Sequence, residues 1–142
     1  MKVFSPTRDV LADVERVLAE NRPSPHSSPL DEVTDLLCRG RHYSSVAVYL
    51  AFGANGSRAL LGAGQDPHPG QLSSPGARRK ILVSMRIGGR EVGVLAAESE
   101  HEDSFGAEDR VLLEEVAARL VRFLAGPGQY LVRRAREKAH AG

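Results

Sequence analysis

The chain is poor in several residue types, and each shortage excludes something. It has one cysteine, Cys38, so no intrachain disulfide forms and no cysteine cluster holds a metal. It has no tryptophan, and aromatics make up 5% of its 142 residues. No apolar run approaches the roughly 20 residues that span a bilayer. The N-terminal stretch MKVFSPTRDV has no long apolar core of the kind a signal peptide carries. Charge of either sign is scarce in excess: 19 Lys and Arg balance 18 Asp and Glu, a net charge of +1. No global field therefore recruits nucleic acid, membranes or acidic substrates. These features point to the reducing cytosol, with no membrane or nucleic-acid partner.

What remains is an ordinary globular composition, 42% hydrophobic and 26% charged, in a chain long enough for one core. SPTRDVLADVERVLAE reads as a helix capped by Ser5, with Pro6 in its first turn. Val10, Leu11, Val14, Val17 and Leu18 form its apolar stripe. A Pro/Ser linker, NRPSPHSSP, follows. Ser28 and Pro29 start a second helix that stops at Gly40. SSVAVYLAF, GANG and SRALLGAG read as strand, turn and strand. KILVSMRI and REVGVLAAES flank Gly88 and Gly89, a two-residue hairpin signal. SFGAEDRVLLEEVAARLVRFLAG is a long helix ending at Gly126-Pro127-Gly128, and QYLVRRAREKAHAG is a short, fraying helix. Four antiparallel strands with three amphipathic helices on one face make a two-layer α+β domain.

From about Leu30 to Leu124 the sequence resembles a GAF domain. The residues that carry the likeness are Gly89, Arg90, Gly93, Val94 and Leu95 in the hairpin, and Phe105 and Asp109 opening the long helix. The resemblance implies a GAF/PAS-like antiparallel sheet with helices packed on one face and a ligand pocket over the other. It divides the chain into an N-terminal helix and linker (1–29), a GAF-like domain (30–126) and a basic C-terminal tail (127–142). GAF domains bind cyclic nucleotides, bilins, haem or small metabolites, or dimerise within signalling proteins.

The departures from that family set the functional expectation. Gln65 to Arg79, with prolines at 67, 69 and 75, is too broken for the helices that close a GAF pocket, and reads as a crossing. Free methionine-(R)-sulfoxide reductases are small GAF proteins in which one cysteine resolves the sulfenic acid on another. With Cys38 alone, a structural thiol is expected, and bilin attachment falls with it. Cyclic-nucleotide binding lacks its Asn-Lys, and Arg110 stands where its Glu belongs. Phe105 and Asp109 read instead as helix-start chemistry, a staple and an anion at the helix dipole. His26, His42, His68, His101 and His140 have no metal-binding spacing. The basic run RRAREK reads as a solvated helix end.

The expectation is therefore a non-catalytic regulatory module without cofactor or metal, acting through homodimerisation or a signalling-protein partner. The alternative is a sensor with a small-molecule ligand on the open sheet face. Ligand contacts are expected from Tyr49, Arg78, Arg79, Ser84 and Arg86, and a dimer interface from Val14, Leu18, Val121 and Leu124. Counting the second hairpin outward from Gly88-Gly89 puts Ile81, Val83, Met85, Val92, Val94 and Ala96 under the helices. Leu82, Ser84, Arg86, Glu91, Gly93, Leu95 and Ala97 then face the ligand side, with Arg86 and Glu91 paired.

Overall fold

The computed structural model describes residues 6–22, 28–41, 43–52, 57–65, 79–99 and 106–141. The elements are α1 (Thr7–Glu20), α2 (Pro29–Arg41), β1 (Ser45–Phe52), β2 (Ser57–Gln65), β3 (Arg79–Ile87), β4 (Arg90–Ser99), α3 (Ala107–Ala125) and α4 (Gln129–Ala141). The GANG turn, most of the 65–79 crossing, His42, Arg78 and Phe105 lie outside the described residues.

The strands form one antiparallel sheet in the order β2-β1-β4-β3. The strands β1 and β4 are the interior pair. The helices cover one face. Val46 and Val48 of β1, Val83 and Met85 of β3, and Leu95 and Ala97 of β4 point into a core with α1, α2 and α3. At about 25 cal/mol per Å² of apolar surface, this layer is the main source of stability.

Local chemistry explains the boundaries. Ser28 accepts hydrogen bonds at its Oγ from the N–H of Leu30 and Asp31, while Asp31 accepts one from Ser28 N. That reciprocal arrangement caps α2. Gly88 and Gly89 have φ of 57° and 81°, the left-handed pair a two-residue hairpin turn requires. Gly62 and Gly64 let α2 lie directly on β2: a Cβ on Gly64 would sit 2.7 Å from Asp35 N.

Two expectations about the chain ends change. The first helix, expected to lend Val14 and Leu18 to a dimer interface, buries Val10, Val14, Val17 and Leu18 in the common core. The tail is a 13-residue helix rather than a short frayed end, and Leu131 joins the same core. Tyr130 Oη donates to Asn21 Oδ1 at 2.6 Å, joining α4 to the end of α1.

The second hairpin departs from simple alternation. Ile87 pairs with Arg90 and Arg86 with Glu91, as counted from the turn, but Met85 pairs with Gly93. Val92 is thus an extra residue, a β-bulge, and every β4 position beyond it changes face. Leu95 and Ala97 lie under the helices, while Val94 and Ala96 face the open side. The expected assignment is right for β3 and inverted for β4 from Gly93 onward.

Candidate functional site

Sheet register places three rows of side chains across the open face. Leu60, Tyr49, Val94 and Ser84 form one row; Ala63, Ala47, Ala96 and Leu82 the next; Ser45, Glu98 and Lys80 lie in the third. The middle row is small at its centre, Ala47 and Ala96, and is flanked by Tyr49 on one side and Lys80 and Glu98 on the other. The difference in side-chain size leaves a recess of about 310 Å³ lined by Ser45, Ala47, Tyr49, Lys80, Leu82, Val94, Ala96 and Glu98. That is the lower end of the range for small-molecule sites.

The recess has an apolar floor and a polar end. Lys80 Nζ lies 3.6 Å from Glu98 Oε1, with the lysine side chain 55% exposed. A surface pair of this kind contributes little to stability, so its partners can be exchanged at low cost. The Tyr49 phenol and Ser45 hydroxyl add groups that both donate and accept. The arrangement offers a cation, an anion and two hydroxyls around an apolar patch. Among the described residues, no cluster of His, Cys, Asp and Glu could hold a metal ion.

Of the expected ligand contacts, Tyr49 alone lines this recess. Ser84 and Arg86 are on the open face but outside it: Ser84 Oγ donates to Glu91 Oε1 at 2.8 Å, and Arg86 Nη1 donates to Gly89 O at 3.1 Å. Arg86 and Glu91 are opposite in register but have taken these other partners. Arg79 opens β3 opposite Ser99, and Arg78 lies outside the described residues. Ser45, Lys80 and Glu98 were missed. Continuing the alternation of β1 backward from Tyr49 finds Ser45; Glu98 needed the phase of β4, which the bulge hides.

The expected dimer interface is corrected by the packing. Val14 is fully buried, and Leu18 and Leu124 are 8% and 7% exposed, all three within the intrachain core. Only Val121 remains half-buried at a surface groove. Most of the wide apolar face of α3 packs against β3, α1 and α4 of the same chain.

Behind the sheet, a second polar cluster fixes the start of α3. Asp109 Oδ1 accepts hydrogen bonds from Arg41 Nη2 at 3.0 Å and Tyr43 Oη at 2.6 Å, and its Oδ2 accepts one from Gly106 N at 3.0 Å. Arg41 Nη1 also donates to Thr7 Oγ1 at 3.1 Å. Burial, then the bond to Asp109, push the Tyr43 phenol far above its ordinary range. Asp109 thus caps its helix, as its place in the first turn suggests, and also ties it to α2 and to Tyr43 ahead of β1, with Arg41 extending the cluster to α1.

The fold is GAF-like. No family model matches the chain, and no curated protein matches its sequence. Among solved structures, it is similar to a free methionine-R-sulfoxide reductase from Neisseria meningitidis in complex with its substrate. The TM-score is 0.69 and the identity 22%, covering 92% of this chain and 99% of that one. It is also similar to the GAF domain of an Acinetobacter phosphoenolpyruvate-protein phosphotransferase (TM-score 0.66, 15% identity, 87% and 96% covered). A type II free methionine-R-sulfoxide reductase from Thermoplasma acidophilum is a third (TM-score 0.54, 15% identity, 78% and 94% covered). At these identities the likeness is one of fold. It overturns the expectation that the chain is not an enzyme, because enzymes share this fold over nearly their whole length. The lack of a recognisable acid–base or nucleophile pattern is no ground for excluding catalysis. Among the described residues, no helix is long and apolar enough to cross a membrane.

Proposed function

We propose that this chain is a small-molecule-binding domain of the GAF signalling and sensor kind, with its ligand in the open-face recess. The observation that carries the reading is the recess itself: a floor of Ala47 and Ala96 between Tyr49 and the Lys80–Glu98 pair. Opposite charges beside an apolar floor suit a zwitterion of amino-acid size, whose carboxylate meets Lys80 and whose ammonium meets Glu98. The substrate-bound reductase of the same fold supports this ligand class. A cytoplasmic location accompanies the reading, on the strength of the lone, buried Cys38.

The test is thermal melting against free amino acids, their sulfoxides and nucleotides. A zwitterionic ligand at a hundredfold excess over Kd stabilises by about 2.7 kcal/mol. The shift should disappear in Ala96→Leu, which fills the recess, and in Lys80→Ala. A panel with no zwitterion-dependent shift, or a shift unchanged in both variants, refutes the site. A second, catalytic reading is favoured by the two reductases. Its sole thiol is Cys38, buried on α2 and so across the sheet from the recess. Dithiol-dependent loss of free methionine-R-sulfoxide, abolished by Cys38→Ser, is the result that establishes it.

A further inference from the structure

The two charged groups of the recess are held unequally. Glu98 lies on β4, between Ser45 of β1 and Lys80 of β3 in register, and its side chain is 26% exposed. Lys80 lies on β3, which has a neighbouring strand on one side only, and its side chain is 55% exposed. The 3.6 Å between Nζ and Oε1 is longer than a hydrogen bond. The carboxylate is therefore the fixed member of the pair. The ammonium, at the end of a flexible four-carbon stem, is the movable one.

Taking the lysine charge away changes the sign of the site. Among the described residues that line the recess, Lys80 and Glu98 alone are charged, so the lining is neutral with Lys80 and negative without it. A ligand carboxylate seated there has the Glu98 carboxylate as a neighbour, and Lys80 is the cation that offsets their repulsion. A ligand with an ammonium group and no carboxylate has the opposite need. It meets Glu98 in competition with Lys80, which occupies the same carboxylate.

We infer, resting on the reading of the recess as a zwitterion site, that Lys80 is its specificity determinant. Its charge admits an amino acid and disfavours a simple primary amine. Without that charge the same recess prefers the amine, because Glu98 is then left without a competitor and a ligand carboxylate without a partner. Discrimination comes from the repulsive element as much as from the attractive one.

The probes are leucine, isoamylamine and isocaproate. They share an apolar chain suited to the alanine floor; the second lacks the carboxylate and the third the ammonium. Amide NMR titrations at neutral pH, followed over 45–49 and 94–98, give Kd for the parent, Lys80→Met and Lys80→Arg. The position is exposed, so all three proteins should melt alike. In the parent, leucine should bind about tenfold or more tighter than either analogue. In Lys80→Met the order should reverse: leucine weakens by about tenfold or more, and isoamylamine binds more tightly than it does to the parent and becomes the tighter of the two. Lys80→Arg keeps the charge and should keep the parent's order. A merely structural role would weaken all the probes together. Such a uniform loss, an unchanged order in Lys80→Met, or a reversed order in Lys80→Arg overturns the inference while leucine binding to the parent leaves the recess reading standing. No leucine binding to the parent overturns both.

Discussion

Removing the Asp109 carboxylate should be among the most damaging single changes in the chain. Its oxygens accept from Arg41, Tyr43 and Gly106 N, at 3.0, 2.6 and 3.0 Å. The Arg41 side chain is 0% exposed and that of Asp109 is 7% exposed. With Asp109→Asn the shape is kept and the charge is lost, so the buried guanidinium loses the carboxylate it pairs with at 3.0 Å. Breaking a buried pair from one side costs about 3–5 kcal/mol, a large part of the 5–15 kcal/mol by which domains are typically stable. For a chain of this size that is a fall in Tm on the order of 10 °C. Asp109→Ala also uncaps α3 and should cost at least as much.

A double-mutant cycle separates the pair from its surroundings. Arg41→Met with Asp109→Leu removes both charges and keeps the volume apolar, a replacement that is often neutral or stabilising elsewhere. The double variant should therefore recover much of the loss seen in either single variant, leaving mainly the lost cap and Tyr43 bond. Urea unfolding followed by circular dichroism reads all four corners. If Asp109→Asn falls within about 0.5 kcal/mol of the parent, the level of ordinary surface substitutions, the pair does not hold the layer together. If the double variant is no better than the worse single, the cost lies elsewhere.

Two further outcomes follow from the helix side of the sheet. The Tyr43 phenol titrates higher folded than unfolded, so its stabilisation is complete below about pH 10, its unfolded value, and is lost as pH rises above that. Urea midpoints should thus decline above pH 10 less steeply in Tyr43→Phe than in the parent; equal slopes would dismiss the role. Gly64→Ala would put a Cβ 2.6 Å from Asp35 Oδ1 and 2.7 Å from Asp35 N. The α2 backbone must then move, at a cost of about 1–3 kcal/mol, measurable as a lower urea midpoint with an unchanged m-value.

The chain shows how far local pattern carries and where it stops. The element order and the Gly88-Gly89 turn were legible because each rests on neighbours in sequence: apolar runs, caps, and glycines where φ must be positive. The Arg41–Tyr43–Asp109 cluster was half legible. Asp109 in a first turn is a local signal, but Arg41 lies 68 residues away, and an arginine ending a helix is normally read as solvated. Nothing in a single sequence distinguishes that arginine from Arg39, which is exposed in the same turn.

The site itself turned on one residue. Strict alternation from the turn would put Leu95 and Ala97 on the open face and Val94 and Ala96 in the core, because Val92 looks like any other strand residue. The bulge reverses this, and its effect is chemical as well as geometric. With the phase shifted by one, Ala96 rather than Leu95 meets Ala47 beneath the open face, and Glu98 rather than Ala97 comes within reach of Lys80. A leucine in the first position would fill the recess, and an alanine in the second would remove its anion. The core gains in the same step: Leu95 packs between Val48 and Val83, a place the plain register would give to the smaller Val94, one methylene short at about 0.8 kcal/mol. Opposite Met85, where the plain register would place Val92, a Cβ would run into Tyr49 O, so the glycine at 93 suits the bulged register, and the small-floored, charged recess on the other face comes with it.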